Sequence, residues 1–334
     1  RQVGVRRYRL DQRRVDLLHL RDRDRAQRRE VDGDGAVGCR LVGLTGIPEG
    51  GPDDLREPRV LDDRGDSYVA WRKSDLDVAD KSSIKTIKAS SPQILINCAA
   101  WTNVDGAEDD FKGALEVNRD GAQNCAISAK DLGIPLIHIS TDYVFSGNTN
   151  YPWKVNDLTD PTTKYGTSKL LGEKAILETY PSGALILRTA WLYGPFGKNF
   201  AKTIIKKALT TKDEIKVAND QVGQPTSTID LAHQIVNLAE TGLSSGIYHG
   251  SNSGKATWWE FACALMELSG ENSNRILPVL SQEFQTKTKR PEYSVLDHSE
   301  WQDSGVSPMR PWRTALEAIY PEIHKAVEGE LANG

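Results

Sequence analysis

A chain of 334 residues with 38% hydrophobic and 26% charged residues holds enough apolar material for one large α/β domain or two modest ones, at roughly 100 to 200 residues per domain. That composition excludes a stapled miniprotein and a globally disordered chain. With 42 Lys and Arg against 46 Asp and Glu the net charge is −4, so bulk charge points to neither nucleic acid nor an anionic membrane as a partner.

No apolar run approaches the roughly 20 residues needed to cross a bilayer, and the Arg-rich beginning lacks the apolar stretch of a secretory signal. The chain therefore reads as cytoplasmic. Four cysteines, Cys39, Cys98, Cys125 and Cys263, are scattered without C-x-x-C spacing, which fits a reducing compartment. The six histidines form no H-x-x-x-H or Cys/His cluster, so no metal site is expected.

Taken in chain order, the first feature is a switch of basic residue. Residues 1–72 hold 16 Arg and no Lys, and residues 73–334 hold 6 Arg and 20 Lys. Residues 1–40 read as an Arg-rich leader, disordered or mistranslated, with Arg21-Asp-Arg-Asp-Arg25 showing no useful periodicity. An out-of-frame translation would account for much of residues 1–66. Residues 41–194 are expected to form one domain and 195–334 a smaller lobe with segments that return to the first.

From Tyr68 the pattern is regular. Tyr68-Val-Ala-Trp71 reads as a buried strand, Lys81 to Ser90 as a helix, and Gln93 to Ala100 as a buried strand of parallel type. Val104 to Lys130 has helical spacing throughout. Pro135 to Ser140 is a strand, Tyr165 to Tyr180 a helix, and Ala184 to Tyr193 a strand. Beyond Gly194 helices are expected over Asn199–Thr210, Ile229–Glu240 and Thr257–Leu268. Strands alternating with amphipathic helices predict a doubly wound parallel α/β sheet of Rossmann type, with a smaller C-terminal lobe.

In such a sheet ligands sit at the carboxyl ends of the strands. After the strand ending at Ile139 come Ser140-Thr-Asp-Tyr143, and about 20 residues later Tyr165-Gly-Thr-Ser-Lys169 opens a helix. A Tyr and a Lys four apart share one helix face. An ammonium beside the phenol is expected to lower its pKa from about 10 toward neutrality, and the Thr141 hydroxyl would hold a carbonyl oxygen beside it. Asn118, within an apolar helical stretch, needs its amide satisfied, either by a water relay or by a structural hydrogen bond.

These residues resemble the extended short-chain dehydrogenase/reductase family, and more narrowly the dTDP-4-dehydrorhamnose reductases. The narrower resemblance rests on Asn97-Cys-Ala-Ala-Trp-Thr-Asn-Val-Asp105, Val117-Asn-Arg-Asp-Gly-Ala122, Ser140-Thr-Asp-Tyr-Val-Phe-Ser-Gly147, Tyr165-Gly-Thr-Ser-Lys169, Arg188-Thr-Ala-Trp-Leu-Tyr-Gly194, Asn199-Phe-Ala-Lys-Thr203, Asn219-Asp-Gln-Val-Gly-Gln-Pro-Thr226 and Arg290-Pro-Glu-Tyr-Ser-Val-Leu-Asp297. Together they cover about residues 68 to 325.

The resemblance implies an NAD(P)H-dependent reductase of the C4 keto group of dTDP-4-dehydro-L-rhamnose, with Thr141, Tyr165 and Lys169 as the catalytic triad and Lys169 also on the nicotinamide ribose. It implies cofactor contacts at Asp77, Val78, Ala99 and Ala100, substrate contacts at Thr102, Asp142, Tyr143 and Trp191, no metal, and a possible homodimer. Arg72, just after a strand, is a candidate partner for a 2′-phosphate, which would separate NADPH from NADH. A second implied reading is a non-catalytic binding subunit like the regulatory subunit of methionine adenosyltransferase; the intact Thr141, Tyr165, Lys169 and Trp191 favour the enzyme.

The departure from the family lies at the phosphate loop. Gly43, Gly46 and Gly50 in Leu41-Val-Gly43-Leu-Thr-Gly46-Ile-Pro-Glu-Gly50 are the candidate glycines, but the spacing is one residue off G-x-x-G-x-x-G, and Pro48, Pro52 and Pro58 interrupt the helix that would follow. The first βα unit is expected to be defective and dinucleotide binding weak.

Overall fold

A computed structural model describes residues 41–47, 60, 67–243 and 245–333. The Arg-rich leader, Gly50 and the three prolines lie outside the described residues. Six strands form one sheet: β1 (Leu41–Ile47), β2 (Ser67–Arg72), β3 (Ile94–Asn97), β4 (Leu136–Thr141), β5 (Ala184–Thr189) and β10 (Gly246–His249), in the order β10-β5-β4-β3-β1-β2. Every pairing is parallel. Helices between them are α1 (Ser83–Ser90), α2 (Val104–Asp109), α3 (Phe111–Leu115), α4 (Ala122–Leu132) and α5 (Lys164–Thr179).

The strands are apolar almost throughout because both sheet faces are covered, and their residues divide with a period of two. Leu95, Leu136, Ala184 and Ile186 face a core with Ile87 of α1, Cys125 and Ala126 of α4 and Ile176 of α5. Ile94, Ile96, Ile137, Leu185 and Leu187 face the opposite core, with Leu231, Ile235 and Trp301. The sheet is thus packed on both sides, and all its carboxyl ends meet at one edge.

The second lobe has its own core. It is built from α6 (Phe200–Thr210), α8 (Trp258–Leu268), α9 (Trp312–Asn333) and small strands: β6 (Leu192–Tyr193) on β9 (Thr226–Ser227), β7 (Ile215–Ala218) on β12 (Ile276–Val279), and β8 (Val222–Gly223) on β11 (Ala256–Thr257). Helix α7 (Thr228–Glu240) returns to the main sheet. Helix starts follow side-chain caps: Thr163 for α5, Asn199 for α6, Ser227 for α7, and a Thr257–Glu260 capping box for α8.

Three expectations need correction. The single helix over Val104–Lys130 is interrupted at Asp110, whose carboxylate caps α3, and again by a π-helical turn at Glu116–Gly121; periodicity alone does not register such a bulge. The strand over Ala184–Tyr193 splits into β5 and β6 because Trp191 adopts φ +46°, a left-handed conformation that ends a strand. The first strand is present: β1 sits centrally between β2 and β3. Gly43 is part of that strand, paired with Val69 and Leu95, rather than part of a turn beyond it. Gly46 falls at the register break between Thr45 and Ile47.

Candidate active site

The chain runs from β1 to β2 on one side and then crosses back to β3 on the other, so the strand order reverses between β1 and β3. That is where a crevice opens at the carboxyl edge of a parallel sheet. Ala99 and Ala100 follow β3 there, Ala99 buried and its N–H donating to Asn97 Oδ1 at 3.1 Å. Arg72 closes β2 at the same edge. Beyond it the Asp77 carboxylate accepts the Ala79 N–H at 3.0 Å, and buried Val78 packs on Gly121, its carbonyl held by Asn124 at 2.8 Å. Small side chains at the switch point and a cation nearby at Lys169 fit a dinucleotide.

Thr141 ends β4, and its hydroxyl donates to Asp142 Oδ1 at 2.9 Å while accepting the Tyr143 N–H at 3.2 Å. Tyr165, the second residue of α5, lies close enough for the same side chain to act on its phenol, favouring the charged form. Burial raises the Asp142 pKa to about 6, against the hydrogen bonds that favour its charge. Tyr143 stands edge-on to Tyr165, with ring centroids 5.5 Å apart. The sheet and α5 thus bring Thr141, Asp142, Tyr143 and Tyr165 together as the motif spacing predicts.

Lys169 lies one turn along α5, but its ammonium is not aimed at the phenol as expected. It is 1% exposed, donates to the Ile139 carbonyl at 2.6 Å and contacts His138 Nε2 at 3.2 Å. Burial lowers its pKa to about 8. Tyr165 is shifted upward instead of downward, because burial outweighs the Thr141 hydrogen bond. The expected depression of the phenol by Lys169 is therefore corrected.

Helix α5 seats closely. A β-carbon at Gly166 would collide with the Tyr143 carbonyl and one at Gly172 with the Asn118 carbonyl, so both positions admit only glycine at this separation. Asn118, in the π-helical turn, accepts the Trp101 N–H at 2.8 Å and donates to Ser168 at 2.8 Å and to the Trp101 carbonyl at 3.2 Å. Its amide is satisfied by structural bonds that tie the loop after β3 to α5. Thr102, next in that loop, is exposed at the mouth.

Trp191 follows β5 at the same edge, stacked on Trp258 with centroids 3.6 Å apart and planes 7° from parallel. A β-carbon at Gly223 would strike the Trp191 ring, so the indole is held by both neighbours. Arg290, from the second lobe, donates to the Tyr143 hydroxyl at 3.2 Å and to Asp105 at 3.1 Å. Reading the sequence for sites missed His138, Trp258 and Arg290. Arg290 lies in one of the resembling runs; His138 sits inside an apolar strand and has no local signal.

The family described as the RmlD substrate binding domain matches residues 57–324. This chain belongs to that family. Within it the chain is 40% identical over 257 residues to a dTDP-4-keto-6-deoxy-D-glucose reductase of Streptomyces niveus, covering 77% of this chain and 88% of that one. It is 39% identical over 269 residues to a dTDP-4-dehydrorhamnose reductase of Streptomyces griseus, covering 79% and 88%. A crystal structure of dTDP-4-dehydrorhamnose reductase from Bacillus anthracis in complex with NADP superposes with a TM-score of 0.79 at 33% identity, covering 85% of this chain and all of that one. The fold is thus the Rossmann-type parallel sheet of this reductase family.

Proposed function

We propose that the protein is an NAD(P)H-dependent oxidoreductase that reduces the C4 keto group of dTDP-4-dehydro-L-rhamnose to give dTDP-L-rhamnose. The observation that carries the reading is the assembly of Tyr165, Thr141 and Lys169 at the carboxyl edge of the sheet, beside the switch point, within a family whose named members reduce dTDP-4-keto sugars.

A bound nicotinamide supplies the hydride. Tyr165 donates its proton to the C4 oxygen as negative charge develops there, and the Thr141 hydroxyl keeps that phenol oriented. A phenol with a raised pKa is a stable proton store at neutral pH and is useful as an acid only toward an incipient alkoxide, which is more basic. Lys169 would hold the nicotinamide ribose, with Ala99, Ala100, Asp77 and Val78 along the cofactor and Arg72 placed to meet a 2′-phosphate if NADPH is preferred. Trp191, Tyr143, Asp142 and Thr102 would line the sugar nucleotide. Trp191 covers apolar sugar surface while Tyr143, backed by Arg290, presents a polar edge.

Tyr165→Phe keeps the ring packing and removes the transferable proton. It is expected to lower kcat by about 100- to 10,000-fold with unchanged thermal unfolding, measured by NADPH oxidation with dTDP-4-dehydrorhamnose. A variant within about threefold of wild type would remove Tyr165 from the reaction. Calorimetric titration with NADPH and NADH is the matching test of the turn after β1 and of Arg72.

A further inference from the structure

Asn97 and His138 are cross-strand neighbours in β3 and β4. Both are buried, and they form a hydrogen-bonded chain that runs from β3 to Lys169, the lysine of the Thr-Tyr-Lys motif. The Ala99 backbone N–H donates to Asn97 Oδ1 at 3.1 Å. A backbone N–H can only donate, so it fixes the amide with Nδ2 turned toward His138 Nδ1, 3.0 Å away. Nδ2 is itself a donor. His138 Nδ1 must therefore accept, and a neutral ring then carries its proton on Nε2.

The ring is neutral, since burial, reinforced by the nearby Lys169, holds its pKa well below the usual histidine value. Nε2 faces Lys169 Nζ at 3.2 Å. An N–H directed at an ammonium would set two donors against each other, whereas an N–H directed at an amine lone pair is a hydrogen bond. The amine keeps two N–H groups, one of which serves the Ile139 carbonyl. The remaining titratable groups acting on Lys169 are Glu173 on its own helix and Cys98 at the end of β3, and both favour the charged form.

We propose that His138 is a positioning residue for Lys169, held by Asn97 in the Nε2–H tautomer so that it donates to Nζ, favours the free amine over the ammonium and turns it toward β4. The inference rests on Lys169 being the cation of the reduction site. Lys169 is that cation below about pH 8 and the amine above it, and His138 sets how readily the proton leaves. Removing the imidazole has opposite consequences under the two possible tautomers. If Nε2–H donates, its loss raises the Lys169 pKa; if Nε2 accepts from an ammonium, its loss lowers it.

The test uses the full chain and needs no turnover. Long-range proton–nitrogen NMR correlations of His138 in the wild-type protein report the tautomer directly: a proton on Nε2 is expected, and a proton on Nδ1 overturns the proposal. Titration of the Lys169 Nζ resonance in wild type and in His138→Phe is the second measurement. The midpoint is expected to rise by about half a unit to one unit in the variant, and an unchanged or lowered midpoint also overturns it. Should His138→Phe fail to fold, the wild-type tautomer still decides. Failure of the reduction reading shows separately, as turnover indifferent to Lys169→Met.

Discussion

Two consecutive turns of α5 bury opposite charges and accommodate them differently. Glu173 is answered in full: Arg188 of β5 donates to both of its oxygens at 3.0 and 2.7 Å, and Ser140 of β4 donates at 2.5 Å. Arg188 in turn reaches the Val155 carbonyl at 3.1 Å and lies over the Phe145 ring. Lys169, four residues earlier, has no carboxylate partner among the described residues and relies on a carbonyl and an imidazole. The helix is thus pinned through Glu173 and left adjustable at Lys169. A buried charge with complete pairing fixes geometry, and one with neutral partners keeps a proton available for chemistry.

The comparison breaks most visibly at the paired end. Arg188→Met leaves Glu173 buried without its partner and is expected to cost about 3–5 kcal/mol of stability, read from denaturant midpoints. The double variant Arg188→Met with Glu173→Leu is expected to recover most of that. A single variant losing under about 1 kcal/mol would mean that Glu173 is no more dependent on pairing than Lys169 is.

Gly172→Ala probes the seat of the helix between the two charges. Its methyl group would push against the Asn118 carbonyl, so α5 must lift, at a cost of about 1–3 kcal/mol. Because Tyr165 and Lys169 ride on that helix, kcat/KM is expected to fall further than in a surface Gly→Ala control. Unchanged kinetics would show that the Asn118 contact does not set the position of the tyrosine.

The smallest effect belongs to the unpaired end and appears as a pH dependence. An unfolded lysine stays protonated up to about its usual 10.5, whereas buried Lys169 releases its proton near pH 8. Above that point the unfolded chain binds more protons than the folded one, so Lys169 makes stability rise with pH. Across about pH 8 to 9 the wild type is expected to gain roughly 1 kcal/mol relative to Lys169→Met. Parallel stability curves for the two proteins would place Lys169 in a solvated setting.

How much of this was legible in the sequence follows the range of the interactions. Strands β3, β4 and β5 were readable because burial on both faces leaves uninterrupted apolar runs, and Tyr165 and Lys169 because four residues make one helical turn. Thr141 could be placed at the edge of the sheet because it follows such a run. His138 was not readable: in Leu-Ile-His-Ile it occupies a core position, and its partners come from the β3–β4 register and from α5. Arg188 and Glu173 meet only when β5 lies under α5. The split at Trp191 depends on a single left-handed residue, which no apolar pattern encodes. The glycines near β1 looked like a turn because glycine spacing says nothing about where a strand ends.

The stacked Trp191 and Trp258 have an optical consequence. Two indoles 3.6 Å apart and nearly parallel share their excited states, so they are expected to give a signed couplet in ultraviolet circular dichroism rather than two independent bands. Trp191 carries that signal on a strained backbone at the edge where the strands end. A ligand that displaces the ring would change the couplet without any label attached, making the aromatic pair an internal gauge of occupancy.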